Sequence, residues 1–278
     1  MASAGDQIIA AILADIKAGT LKLPVLPEVA VQVRRMVDDD NSAAAEIASV
    51  ISKDASLSTR LLQVSNSPFY QGTAEITSVH MAVARLGRRQ VRNLVTSLLM
   101  QNLFETKNAL IKKEMVKMWE HNSKVAALTL VLASRFTTLN RDQALLAGLI
   151  HDVGKLPVMT YAERFPELLQ DVSVLNQVGS RIHCPVGRII MKTWKLPDEL
   201  VAVAGEHENI GRDSVILDYA DLVIIANAYC HRDTEHELSE VDWHSMPALH
   251  KLGLNGDNVI TAIESAEEEA QHAYAMMG

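Results

Sequence analysis

Apolar residues in this chain recur at three- and four-residue spacing from one end to the other, a period that only helices can bury on one face. Ile8, Ile9, Ile12, Leu13 and Ile16 make one such stripe, and Val91, Leu94, Val95, Leu98 and Leu99 another. Aromatic residues are only 4% of the sequence, while Ala, Leu, Val and Met are plentiful, which favours helix over sheet. With 278 residues, 48% of them hydrophobic, the chain can bury a large core without disulfides or metal staples. The expectation is an all-α protein, either one large helical domain or two modest ones.

Charge and cysteine usage narrow the partners. A formal net charge of −8 argues against nonspecific nucleic-acid binding, which needs a basic face. Cys184 and Cys230 are too few for a disulfide framework and point to a reducing compartment. Asp6 and Asp15 interrupt the first apolar face, unlike a secretory leader, and no uncharged run approaches the roughly 20 residues that span a bilayer. A soluble, cytoplasmic protein with no membrane partner is expected.

The first hundred residues read as packed helices with local punctuation. Gly19 closes the first helix, Pro27 opens the second, and Asn41 or Ser42 is placed to cap the third. Asp54 and Ser78 are further caps, and Asn66-Ser67-Pro68 and Gly87 are stops. No catalytic constellation stands here. A packing module, or one that docks a signalling partner, is the natural reading, and His80 is left as an ordinary solvated histidine.

Beyond residue 110 ionisable groups fall on faces that should be buried. One stripe reads His121, Val125, Leu128, Leu132. The next helix, capped by Asn140 with Gln143 three residues on, ends in His151-Asp152, where Gly154 offers a left-handed helix end. Later stripes read His183, Val186, Ile190, Trp194, then Leu200, Val203, Ala204, His207, then Leu217, Asp221, Ile224, Ala228. A single core histidine usually bonds a carbonyl, and a helix-terminal His-Asp is often a cap. Buried separately, however, an acid and four histidines would each cost several kcal/mol when poorly paired. Gathering them around one or two divalent cations removes that cost together. Asp221 is the most telling, since no Lys or Arg shares its stripe. Mixed imidazole and carboxylate donors suit Fe, Mn, Zn, Ni or Co, and no cysteine on these stripes suggests a structural thiolate zinc site.

The pattern resembles the HD superfamily of metal-dependent phosphohydrolases. Its H…HD…D order maps onto His121, His151 with Asp152, and Asp221. His183 and His207 fall where two-metal members add ligands. The resemblance implies an all-helical core, Asp152 bridging two cations, a cation-bound water attacking phosphorus, and Lys155 on the phosphate of a phosphoester or nucleotide. Lys155 has a second reading, as a lysine favoured by a helix C-terminus. The enzymatic reading requires that one ion touch His121, Asp152 and Asp221.

The whole chain is more similar to the narrower HDOD group. Leu23-Pro24-x-Leu26-Pro27, Asp54-x-x-Leu57, Asn66-Ser67-Pro68-x-Tyr70 and Ala82-x-x-x-Leu86-Gly87 match its first half. His183-x-x-x-Gly187, Trp194-x-Leu196-Pro197 and Glu206-His207 match its second. That resemblance implies a bacterial signalling protein, and it leaves open a regulatory module that holds metal or nucleotide without turnover. The HHE-xx-DG-x-GYP signature of cyclic dinucleotide phosphodiesterases is missing: Glu208 stands where the tandem histidine would be, free to ligate or to face solvent. By this reading residues 1–106 are an N-terminal helical module, 107–235 the HD-type metal-binding domain and 236–278 a helical extension. The acidic stretch from Asp233 to Glu240 reads as a solvated loop. Trp243 to Leu252 reads as a short helix and Asn258 to Met276 as a terminal one, packed through Val259, Ile260 and Ile263, with Glu267-Glu268-Glu269 facing solvent.

Overall fold

The computed structural model describes residues 4–70, 72, 74–162, 172–232, 234, 236–254 and 256–275, and among them there is no strand. The first half runs α1 (Ala4–Ala18), α2 (Glu28–Asp38), α3 (Ala44–Ile51), α4 (Ala55–Ser65), α5 (Val79–Leu86) and α6 (Arg88–Met100). The second runs α7 (Ala109–Phe136), α8 (Arg141–Ile150), α9 (Lys155–Ala162), α10 (Val172–Thr193), α11 (Asp198–Glu206), α12 (Tyr219–His231), α13 (Pro247–Lys251) and α14 (Gly256–Ala275). No helix among the described residues is long and apolar enough to cross a membrane.

Local chemistry sets most boundaries. The carboxylate of Asp54 accepts from the Leu57 amide at 2.9 Å, the Ser78 hydroxyl from Met81 at 3.2 Å, and Asn140 Oδ1 from Gln143 at 2.9 Å. Gly19 and Gly87 carry positive φ at the ends of α1 and α5, as expected. The cap of α3 differs from expectation. Ala43 occupies it: the Glu46 carboxylate reaches back to accept from the Ala43 amide at 2.9 Å, and the Glu46 amide donates to the Ala43 carbonyl at 3.0 Å in place of a capping side chain. The Trp243 region splits into a 3₁₀ turn, Trp243–Ser245, and α13, which Pro247 begins.

Packing then builds a platform for the second half. Along α6, Val91, Leu94, Val95 and Leu98 are all buried, each apolar side chain contributing about 1.5–3 kcal/mol, and this face meets α2 and α8. At the centre α7 and α8 touch backbone to backbone: a Cβ on Gly148 would lie 2.4 Å from Ala126 Cα. Around this pair pack α12, α11 and α14, while α10 lies against α9, α11 and α1. Side-chain hydrogen bonds tie the halves together. Trp194 Nε1 donates to Pro24 O at 2.9 Å, and Arg34 donates to the carbonyls of Trp194 and Lys195, holding the left-handed Lys195 (φ 54°). The Tyr70 hydroxyl donates to the buried Asp142 at the start of α8, beneath the Arg141 guanidinium.

The terminal helix docks on α7 through the buried Ile263, Ala266, Ala270 and Ala273. Its acidic run is not simply solvent-facing: Glu267 accepts from Tyr229 Oη at 2.7 Å and Glu269 pairs with Arg135. The side chains of Val259, Ile260 and Glu268 lie outside the described residues, as do Asp233, Glu235 and Met276.

Candidate metal centre

His151 and Asp152 sit in the tight connection between α8 and α9, with Val153 and Gly154 completing it. Gly154 is not left-handed, contrary to expectation: among the described residues the positive-φ glycines are Gly19, Gly87 and Gly253. Glycine is required there for space. A Cβ on Gly154 would fall 1.9 Å from His183 O and 2.7 Å from Gly187 N, so the connection is pressed directly onto α10. That contact brings Asp152 to His183. From the other side the buried Asn122 amide donates to Leu149 O at 3.0 Å, fixing the last turn of α8 against α7.

Three imidazoles are oriented in the same way. His151 Nδ1 lies 2.7 Å from Gly148 O, His183 Nδ1 3.0 Å from Gly179 O, and His207 Nδ1 3.1 Å from Val203 O. A carbonyl only accepts, so each Nδ1 carries a hydrogen, and each ring in its neutral form presents a bare Nε2 to the interior. The Nε2 atoms of His183 and His207 stand 3.1 Å apart. Asp152 Oδ1 is 3.3 Å from His207 Nε2 and 3.4 Å from His183 Nε2, while Oδ2 is 3.5 Å from His151 Nε2 and 2.5 Å from Lys155 Nζ. All four side chains are buried. Among the described residues His151 Nε2 and Asp152 Oδ1 have no hydrogen-bond partner. Buried bare acceptors converging on one another are what a cation satisfies, so the donor set fits a metal.

His121, from the middle of α7, packs its ring edgewise 5.3 Å from that of His151 and brings a ligand atom within 4.8 Å of those of His151 and Asp152. Its Nε2 lies 3.1 Å from Asn227 Oδ1 on α12. A second group within the same limit joins His183, His207 and Cys184. Asp152 touches both, one oxygen toward each. Burial pushes the His121 imidazole down to about 4 and His151 well below its ordinary value. Burial alone would raise Asp152, but the Lys155 ammonium and surrounding histidines hold it well below the carboxylate range. His183 moves the other way. Burial opposes protonation, yet Cys184, Glu208 and Asp152 raise it to about 10.

The structure does not bring Asp221 to this cluster. Its carboxylate, fully buried, accepts from Arg212 Nη1 at 2.8 Å, Lys251 Nζ at 2.9 Å, Ser214 Oγ at 3.2 Å and the Asp218 amide at 3.1 Å. No cation shares its own stripe, but Arg212 from the preceding loop and Lys251 from α13 converge on it, and it joins neither donor group. On α12 the residue that meets His121 is Asn227, six residues or about 9 Å further along. The expected set of His121, Asp152 and Asp221 around one ion is therefore not assembled, and the enzymatic reading does not hold in the form that required it; the donors that do converge are His121, His151, Asp152, His183 and His207.

The cluster opens on a cavity of about 280 Å³ whose lining includes Lys117, His121, Asp152, Lys155, His231 and His236. His231 lies 4.5 Å from the His121 ring and stacks at 3.9 Å on His236, which is half-buried rather than in a solvated loop. Glu208 faces inward, 3.4 Å from His183 Nε2 and 3.9 Å from His236 Nε2. Asn227, His231, His236 and Cys184 were not singled out from sequence. Asn227 and His231 are four apart on one helix, and that spacing was the available signal.

The profile of the HDOD domain family matches residues 23–210. The chain belongs to the HDOD family. A crystal structure from Shewanella amazonensis, of a protein named a candidate metal-dependent phosphohydrolase, superposes with a TM-score of 0.84 at 27% identity, covering 97% of this chain and 99% of that one. A Marinobacter aquaeolei protein, named a candidate signal transduction protein, shares the fold with a TM-score of 0.64 at 22% identity, over 99% of this chain and 66% of its own. An uncharacterised Treponema pallidum protein is 24% identical over 205 residues, 68% of this chain, and the match spans 38% of that protein's length.

Proposed function

We propose that this HDOD protein is a bacterial signal-transduction protein whose buried centre holds one or two divalent transition cations and hydrolyses a phosphoester. The carrying observation is the common orientation of His151, His183 and His207, each with Nδ1 committed to a carbonyl and Nε2 turned toward the others and Asp152. The similarity to the Shewanella protein supports the reaction class. A cation held by His121, His151, Asp152, His183 and His207 would supply Lewis acidity and lower the pKa of a water bound to it. The chain's own residues prepare the rest. Lys155, tied to Asp152 Oδ2, places positive charge at the cavity where a phosphate would sit, whereas Lys117 on the same cavity is paired with Glu114 at 2.7 Å. The deep burial of His151 and Asp152 keeps bulk water from competing for their lone pairs. The N-terminal helices would serve a signalling partner.

One observation favours a second reading, a regulatory module that holds metal without turnover: Asp221 is engaged by Arg212 and Lys251, and the neutral Asn227 faces His121 instead. One experiment decides between the two. Metal content of the purified chain is measured by mass spectrometry, then phosphomonoesterase and phosphodiesterase substrates are assayed with added Mn, Fe, Co, Ni or Zn. Bound metal with turnover, both lost in His151→Ala and Asp152→Ala, supports the hydrolase. Bound metal with no turnover supports the module, and failure to bind any of these ions overturns both.

A further inference from the structure

The half of the centre formed by α10 and α11 contains a sulfur that nothing in the H…HD…D pattern requires. Cys184 Sγ lies 3.4 Å from His183 Nε2, and Cys184, His183 and His207 each bring a ligand atom within 4.8 Å of the others. Neighbours on a helix normally diverge by about 100°, so a side chain next to a ligand is expected to point away. Here it reaches the same point. The second observation is independent of the cysteine: Asp152 Oδ1, on a residue only 1% exposed, is aimed at this point and hydrogen-bonded to nothing among the described residues.

Four of the six donor–donor spacings match a tetrahedral coordination shell. Tetrahedral zinc with Zn–N near 2.0–2.1 Å and Zn–S near 2.3 Å separates its nitrogen donors by about 3.3 Å and nitrogen from sulfur by about 3.6 Å. The structure has 3.1 Å between the two Nε2 atoms, 3.3 and 3.4 Å from them to Asp152 Oδ1, and 3.4 Å from His183 Nε2 to Cys184 Sγ. We infer that Cys184 is a thiolate ligand of a cation site completed by His183, His207 and Asp152, a site that takes a thiophilic divalent ion such as zinc or cobalt. Binding replaces the thiol hydrogen by the metal and releases one proton to solvent. This rests on the metal-binding reading above and adds the ligand that sets the preference for the metal: with sulfur in the shell, that half of the centre discriminates against manganese, whereas the His121–His151 half has only nitrogen and oxygen donors. Glu208 Oε1, also 3.4 Å from His183 Nε2, is the oxygen that would take the sulfur's place if the inference is wrong.

Cobalt(II) titration of the full chain, freed of metal by a chelator, tests it. Cobalt bound by any of these donors gives visible d–d absorption, and a thiolate ligand adds a near-ultraviolet charge-transfer band. The band is expected in the wild type and in Cys230→Ser, and it should vanish in Cys184→Ser and Cys184→Ala while their d–d absorption persists. A band unchanged in Cys184→Ser, or d–d absorption without the band in the wild type, overturns the role of Cys184 alone; no d–d absorption in the wild type overturns the metal reading with it. Should the Cys184 variants fail to fold, alkylation of the wild type decides. Saturating zinc should slow modification of Cys184 at least tenfold without slowing Cys230, and equal rates with and without zinc overturn the inference.

Discussion

The Nε2 atoms of His183 and His207 face each other across 3.1 Å, each ring having given its Nδ1 hydrogen to the carbonyl four residues before it. Two bare nitrogens at that separation repel unless a positive charge lies between them. Added zinc is therefore expected to raise the denaturation temperature, with a gain of about 2.7 kcal/mol at a hundredfold excess over its dissociation constant. His207→Ala should lose most of that gain. Differential scanning calorimetry with and without metal checks it, and an equal zinc response in the variant would show that the pair is not part of the site.

Asp221 should behave as a structural residue. Removing it takes the shared acceptor from the partly buried Arg212 and Lys251, which keep Glu206, Asp218 and Ser214, and Asp221→Ala is expected to cost about 1–3 kcal/mol in denaturant unfolding. Metal bound per folded chain should not change. Loss of metal with stability intact would instead restore Asp221 as a ligand.

Gly154→Ala puts a carbon 1.9 Å from a backbone oxygen of α10. Neither backbone can yield without moving His183 or Asp152. Cation affinity should fall at least tenfold, measured by competition with a metallochromic indicator, whereas Gly211→Ala, whose Cβ would have ordinary contact distance, should bind as the wild type does.

Tyr70 and Asp142 give a pH dependence away from the metal centre. Burial raises the Asp142 carboxyl above its ordinary value in spite of the Tyr70 hydroxyl and Arg141. The folded state then holds this proton more tightly than the unfolded chain, so the stabilising contribution is full below the ordinary carboxylate pKa and is lost as pH rises through the raised one. Asp142→Asn keeps an acceptor for Tyr70 and cannot ionise. Its stability relative to wild type should increase from pH 4 to pH 7 in parallel thermal melts, and a flat difference would contradict the assignment.

Features decided within a few residues were legible in the sequence. Asp54, Ser78 and Asn140 cap where they were expected to, because a cap needs only an amide two or three positions away. The histidines of the second half could be seen to belong inside, because a helical stripe reports which face is buried. What the stripe does not report is which distant groups share that interior. Asp221 looked unpartnered since Arg212 is nine residues before it, in a loop, and Lys251 thirty after it, on another helix. Gly154 suggested a backbone conformation, while its constraint is steric and comes from His183, 29 positions on. Cys184 adjoins His183 in sequence, and a helical stripe admits only one of two neighbours, though the cluster admits both.

Asp152 turns one oxygen to the His183–His207 pair and the other to His151 and Lys155. The two halves of the centre are thus wired in series through a single carboxylate. On the proposed metal-binding reading, an ion in either half would draw electron density from the oxygen that serves the other, so the first ion loaded would set the grip on the second, and a changed donor in one half would be felt in the other.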